Sequence, residues 1–166
     1  IPHRFIKGNE LALRLYGDVA WRYSRDIDLL VEYQNVVLTE QLIAPLGYTP
    51  LYASWSANDP ASQVLLAMQK DNGYCAPNKP VLEVHHRISN FRDEFSKDLT
   101  THLMTLSNGV SVLEYLYLCW HALLTNCHRT KWLVDLAVYR MRLDTEQVGW
   151  RERAMPAIKR YRLTAQ

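Results

Sequence analysis

The alternation of apolar and polar positions divides the first part of the chain into short strands and amphipathic helices. Residues 4–6 predict the end of a strand, and the apolar spacing from Glu10 predicts a helix of about ten residues that stops at Gly17-Asp18. The run DIDLLVE, residues 26–32, predicts the clearest strand, because it is short, apolar and rich in branched side chains. Further along, the pattern predicts a helix over 35–44, a strand over 48–52, a polar loop over 54–62, and strands over 63–69 and 81–88.

Turn residues and charge then complete the predicted architecture. Asp71-Asn72-Gly73 and two prolines between the last two strands predict a hairpin with a loose tip, and residues 92–98 read as a charged, flexible stretch. Helices are expected over 110–127, 131–143 and 150–162. The predicted fold class is α+β: a mixed β-sheet flanked by helices over residues 1–98, followed by a helical part over 99–166.

Composition is that of an ordinary globular protein. The 166 residues are 48% hydrophobic and 22% charged, with a formal net charge of +2, which disfavours disorder and broad, non-specific nucleic-acid binding. Three cysteines without a C-x-x-C pair disfavour a secreted disulfide framework, and no apolar run is long enough to span a membrane. We therefore expect a cytoplasmic protein. The start at Ile1-Pro2, just ahead of a strand, leads us to expect further chain upstream.

Two acids begin the clearest strand. Asp26 and Asp28 are two residues apart and point to one face, while Ile27 and Leu29 point to the other. Two neighbouring carboxylates repel each other unless a cation lies between them. Their oxygen ligands favour Mg²⁺ or Mn²⁺ over Zn²⁺. The alternative is a solvated strand rim with no ligand.

Two further features favour the metal site. Gly8 lies at a strand–helix junction, where the backbone can approach a phosphate and a helix start offers free N–H groups. Glu83 stands among apolar residues in a predicted inner strand, and a buried lone charge is costly. Placed beside the strand of Asp26 and Asp28, it would complete a triad of acidic ligands.

These residues resemble the uncharacterised nucleotidyltransferase family of bacterial proteins, within the DNA polymerase β-type nucleotidyltransferase superfamily. The glycine turn, the D-h-D strand and the later lone acid carry the resemblance to the superfamily. Asn9 stands where that superfamily commonly has Gly or Ser. The closer family is matched in sequence order by Lys7-Gly8, LYGD (15–18), R-x-x-x-DIDLLV (22–31), LGY (46–48), LEVH (82–85), His121, His128 and WLVDL (132–136).

The resemblance implies transfer of a nucleoside monophosphate from an NTP, expected to be ATP, to an unidentified acceptor. Asp26, Asp28 and Glu83 would be the catalytic acids and hold two Mg²⁺ or Mn²⁺ ions. The terminal phosphates would lie on Lys7, Gly8, Asn9 and Arg22.

Histidines add a second set of candidates. His85 shares the face of Glu83 and is either a contact near the acceptor or a hydrogen-bonded rim residue. His121, His128 and Asp135 are expected to form a polar network that the resemblance places near the substrate cleft. The spacing of His121 and His128 from Cys119 and Cys127 does not suit a compact structural zinc site.

Two other classes of function stay open. One is a catalytically weak nucleotide-binding or regulatory module, and the other is a partner-binding protein on the same fold. Nucleic-acid binding is possible but not indicated, and no membrane partner is expected. The basic residues near the carboxyl terminus read first as a solvated helix face: Arg151, Arg153, Lys159, Arg160 and Arg162.

Overall fold

The computed structural model describes residues 1–56, 58–90, 94–106, 109–161 and 163. By internal contacts the chain divides into two compact units, Ile1–Met104 and Thr105–Gln166. The first unit contains the sheet and the second consists of helices. The predicted boundary after residue 98, as a boundary between domains, stays a prediction.

A mixed sheet of five strands forms the centre of the first unit, in the order β1-β2-β5-β4-β3. Strands β2 and β5 are parallel neighbours, and the other three pairs are antiparallel. The strands are β1 His3–Ile6, β2 Asp26–Val31, β3 Thr49–Pro50, β4 Asp71–Cys75 and β5 Val81–His85. This mixed sheet with its helices confirms the predicted α+β class.

Helices connect these strands and make up the second unit. In the first unit they are α1 Gly8–Tyr16, α2 Val36–Ile43, α3 Pro60–Met68 and α4 Glu94–Thr105, the last of which ends at the first residue of the second unit. The second unit contains α5 Val112–Leu124, α6 Thr130–Glu146 and α7 Trp150–Arg160. Within the described residues, no helix combines the length and the apolar character needed to cross a bilayer.

The two faces of the sheet differ in chemistry because side chains alternate along β2 and β5. Leu29, Val31, Leu82 and Val84 point to one face and form a core there with residues of α2 and α3. The intervening positions, which include Asp28, Glu83 and His85, point to the opposite face. The apolar alternation of β2 thus places its acids away from this core.

The prediction of a strand over residues 63–69 is wrong, since α3 occupies Pro60–Met68. Asp59 caps this helix by accepting hydrogen bonds from the amides of Ala61 and Ser62, and Pro60 stands at its first turn. Leu, Ala, Met and Gln in the segment are strong helix formers. A short apolar run did not distinguish a helix from a strand here.

The predictions for the hairpin tip and for residues 92–98 are also corrected by the structure. Asp71-Asn72-Gly73 is part of β4 and not the tip of the hairpin, which lies between Cys75 and Val81. Residues 94–98, expected to be flexible, begin α4, whereas residues 92 and 93 lie outside the described part. The predicted hairpin between 63–69 and 81–88 is therefore wrong in its first strand, and β5 pairs antiparallel with β4 instead.

A buried hydrogen-bond network joins helices of the second unit. The hydroxyl of Tyr139 in α6 donates to Glu114 Oε2 in α5 at 2.6 Å and accepts from the backbone N–H of Ser111 at 2.8 Å. All three residues are buried. Because a buried carboxylate needs donors, this network ties the start of α5 to the middle of α6.

Candidate active site

An acidic pair lies at adjacent positions of β2 and β5. Asp28 and Glu83 are register partners in these parallel strands, so their side chains leave the same face of the sheet side by side. Asp28 is buried, and the side chain of Glu83 is one-third exposed. The structure therefore brings together two of the three acids that the sequence singles out.

His85 lies against both acids. Its Nε2 is 3.0 Å from Asp28 Oδ1 and 3.4 Å from Glu83 Oε2, and its side chain is only 2% exposed. One potential ligand atom from each of Asp28, Glu83 and His85 falls within 4.8 Å of the other two. Imidazole and carboxylate groups at this separation can share one divalent cation.

Asp71 extends this cluster across the sheet. It pairs with His85 in the β4–β5 register, and its Oδ2 lies 3.4 Å from His85 Nδ1. Lys70 forms an ion pair with the same Oδ2 atom. The sequence prediction missed Asp71 because it placed this residue in a turn. No local signal shows that Asp71-Asn72-Gly73 belongs to a strand and not to a turn.

Lys7 provides the positive charge next to Asp28. Its Nζ lies 2.8 Å from Asp28 Oδ1, with the lysine side chain 16% exposed. Burial by itself would raise the pKa of the Asp28 carboxyl, but Lys7 and His85 outweigh this effect and hold the pKa well below its ordinary value. Asp28 is consequently ionised at neutral pH, the state that a metal ligand requires.

The Lys7-Gly8 turn connects β1 to α1. Both residues have positive φ, 54° at Lys7 and 42° at Gly8. A Cβ atom on Gly8 would lie 3.4 Å from Ser24 Oγ and 3.5 Å from the carbonyl oxygen of Asp26. Buried Arg22 donates a guanidinium N–H to the carbonyl of Gly8 at 3.1 Å. The two Cβ separations are ordinary contact distances, so glycine is favoured here by its left-handed backbone conformation.

A pocket of about 290 Å³ opens beside this turn. Lys7, Gly8 and exposed Asn9 line it at the start of α1, together with Asp26 and Asp28 of β2. The amino terminus of α1 contributes backbone N–H groups and the positive end of its dipole. The pocket therefore combines an anion-binding helix start with a pair of carboxylates.

Asp26, the third predicted acid, stands slightly apart. Its Oδ1 accepts a hydrogen bond from Ser24 Oγ at 2.9 Å, and the residue is half-buried at the pocket. Asp26 does not belong to the group of Asp28, Glu83 and His85 that meets the distance criterion for one shared ion. It lines the same pocket as Asp28.

The remaining predicted residues lie in the second unit. The rings of His121 and His128 lie edge to face with Trp132, at centroid distances of 5.1 and 4.8 Å. Asp135 is buried in α6. Trp132 thus contacts both histidines, while the polar network of His121, His128 and Asp135 and its place near a substrate stay a prediction.

Comparison with protein families gives a match that spans nearly the whole chain. The model of the family described as "Uncharacterised nucleotidyltransferase" matches residues 1–165. The chain belongs to this family. The family thereby confirms the resemblance read from the motifs and indicates a nucleotidyltransferase. Comparisons with curated proteins and with solved structures give no match.

The residues at this site are of the types that bind divalent cations. Asp28 is buried and ionised beside His85, and the Lys7 ammonium on its Oδ1 atom would have to move aside before a cation binds to that oxygen. Glu83 offers a second carboxylate, and His85 offers a nitrogen, at distances that one ion can bridge. The donor chemistry of the site therefore fits a divalent metal ion.

Proposed function

We propose that this protein is a metal-dependent nucleotidyltransferase that moves a nucleoside monophosphate from an NTP, in the first place ATP, to an acceptor hydroxyl or phosphate. The observation that carries the proposal is the juxtaposition of Asp28 and Glu83 across β2 and β5, next to the Lys7-Gly8 turn. Family membership supports the reaction class. The catalytic unit would be the α/β part over residues 1–98, with residues 99–166 as a helical companion.

Asp26, Asp28 and Glu83 would hold the cations, Mg²⁺ or Mn²⁺. When bound, two such ions neutralise phosphate charge and stabilise the entering and leaving oxygens of an in-line displacement. Buried Asp28 is held at the end of the cleft by strand pairing on both sides, with Ile6 and with Glu83 as register partners. A carboxylate fixed in this way loses little conformational freedom when it binds an ion.

Lys7, Gly8 and Asn9 would bind the terminal phosphates. The helix start supplies N–H donors, and Lys7 supplies a charge close to the acids. Arg22 contributes by holding the Gly8 carbonyl, which keeps the turn in its left-handed conformation. His85, His121, His128 and Asp135 are proposed as residues around the reacting groups. We place the reaction in the cytoplasm, which the three free thiols Cys75, Cys119 and Cys127 support.

The test is to incubate the protein with labelled NTPs and divalent metal in a cell extract and to identify what becomes labelled. Asp28→Asn should abolish labelling while far-UV circular dichroism stays that of the wild type, and its unfolding midpoint should fall because Lys7 and His85 lose their charged partner. Asp59→Asn is the matched control, because Asp59 is exposed and caps α3. Asparagine caps a helix equally well, so this variant should label like the wild type. Labelling by Asp28→Asn at the wild-type rate would contradict the assignment.

Calorimetric titration separates the two other classes of function. A nucleotide-binding or regulatory module would bind NTP in the presence of Mg²⁺ and leave no label on any acceptor. A partner-binding protein would show no NTP binding with or without Mg²⁺. The proposed transferase requires both binding and labelling.

A further inference from the structure

The Nε2 atom of His85 lies close to both acids of the site. Its side chain is 2% exposed, and its Nε2 lies 3.0 Å from Asp28 Oδ1 and 3.4 Å from Glu83 Oε2. Two ligands at right angles on an ion with bonds of about 2.1 Å lie about 3.0 Å apart. The separation of His85 from Asp28 equals this value and that from Glu83 is somewhat longer, so both carboxylates lie within reach of one ion shared with His85.

The other ring nitrogen of His85 points to a carboxylate. Nδ1 is buried, forms no hydrogen bond of standard geometry within the described residues, and lies 3.4 Å from Asp71 Oδ2. Histidines that bind metals almost always direct their second nitrogen to a carboxylate, a carbonyl or water, which sets the tautomer and the ring orientation. Asp71, itself paired with Lys70, has the position of such an orienting group.

We propose that His85 Nε2 is a direct ligand of the metal together with Asp28 and Glu83, that Asp71 is its positioning residue, and that this site consequently selects Mn²⁺ over Mg²⁺. The proposal deepens the proposed function and rests on it for the presence of a metal. Imidazole suits transition metals, whereas Mg²⁺ prefers oxygen ligands alone. Mn²⁺ accepts one imidazole nitrogen together with two carboxylates and, like Mg²⁺, also binds phosphate oxygens.

The direct test is pulsed electron paramagnetic resonance of the full chain loaded with Mn²⁺ and no nucleotide. A bound imidazole nitrogen should give a ¹⁴N modulation of the Mn²⁺ echo, and this modulation should disappear in His85→Gln. Bound Mn²⁺ without nitrogen modulation in the wild type would overturn the proposal. Because this measurement uses the wild type, its outcome does not depend on whether a variant folds.

Affinity measurements test selectivity and the role of Asp71. In Mn²⁺ and Mg²⁺ titrations, His85→Gln should weaken Mn²⁺ binding by more than about tenfold and leave Mg²⁺ binding nearly unchanged, since glutamine offers an oxygen. Asp71→Asn should weaken Mn²⁺ binding by about 10–100-fold and keep a reduced ¹⁴N modulation. His3→Gln, at an exposed histidine on β1, is the matched control and should change neither affinity.

The outcomes separate this proposal from the proposed function. An Mn²⁺-to-Mg²⁺ preference that is unchanged in His85→Gln would overturn the ligand assignment, while a labelling activity lost in Asp28→Asn would still stand. Nitrogen-ligated Mn²⁺ in a protein that labels no acceptor would support the metal site and contradict the transferase.

Discussion

Lys7 Nζ lies 2.8 Å from Asp28 Oδ1, so the residue that joins β1 to α1 is paired with the buried acid of β2. Both side chains are largely removed from solvent, and His85 contacts the same carboxylate oxygen. The positive charge that stabilises ionised Asp28 in the protein is thus the charge that we expect to meet the phosphates of an NTP.

Replacing Lys7 should affect both stability and nucleotide binding. Lys7→Met removes a charged partner from Asp28 and should lower the free energy of unfolding by about 2 kcal/mol. It should also weaken NTP binding by about tenfold, through the loss of one charge-assisted contact. Urea unfolding and calorimetric titration measure the two effects. Lys97→Met, at an exposed lysine of α4, is the charge-matched control and should leave both unchanged.

The Gly8 turn offers a comparison between two glycines with positive φ. Gly8→Ala and Gly17→Ala should each lower the free energy of unfolding by about 1–2 kcal/mol, because both positions are left-handed. Gly8→Ala should in addition weaken NTP binding, since a backbone adjustment at Gly8 shifts the N–H groups of a turn that lines the pocket, whereas Gly17 lies outside the pocket lining. Equal NTP affinity in the two variants would contradict phosphate binding at Gly8.

The network between α5 and α6 should contribute strongly to stability. Tyr139→Phe removes the donor to buried Glu114 and the acceptor for the Ser111 amide, so we expect a loss of about 2–3 kcal/mol in the free energy of unfolding. Tyr48→Phe is the control, because the hydroxyl of Tyr48 donates to the Pro80 carbonyl at an exposed position. This substitution should lower the free energy of unfolding by less than about 1 kcal/mol. Similar losses in both variants would contradict this account.

Stability should fall in mild acid because of His86. Burial lowers the pKa of His86 to about 4 from an ordinary value of 6.5. The charge of Arg87 also lowers this pKa, and the charge of Asp71 opposes the shift. Between these values the unfolded chain binds a proton that the folded chain does not. The free energy of unfolding therefore decreases as the pH falls from 6.5 to 4, by up to about 3 kcal/mol, and is fully retained above 6.5.

Urea unfolding across this pH range measures the effect. His86 packs edge to face between Tyr33 and Trp55, so an aromatic replacement keeps the shape of its environment. His86→Phe should show a smaller decrease than the wild type over the same interval. An identical decrease in both proteins would assign the acid sensitivity to other groups.

Local sequence patterns predicted several features of the fold and of the candidate site. The two-residue period of β2 predicted that Asp26 and Asp28 share a face, and the E-x-H spacing predicted the same for Glu83 and His85. Turn residues predicted the ends of α1 and α2. Such features depend on residues close in sequence, where side-chain direction follows from backbone geometry alone.

Tertiary structure decided the rest. The register of β2 with β5 sets Asp28 beside Glu83 and His85, across more than fifty residues of chain, and the pairing of β4 with β5 sets Asp71 beside His85. The segment 63–69 became a helix because Asp59 and Pro60 start it and Leu66 packs in the core. Strand register and helix packing are fixed by burial over the whole sheet, a condition that no short stretch of sequence contains.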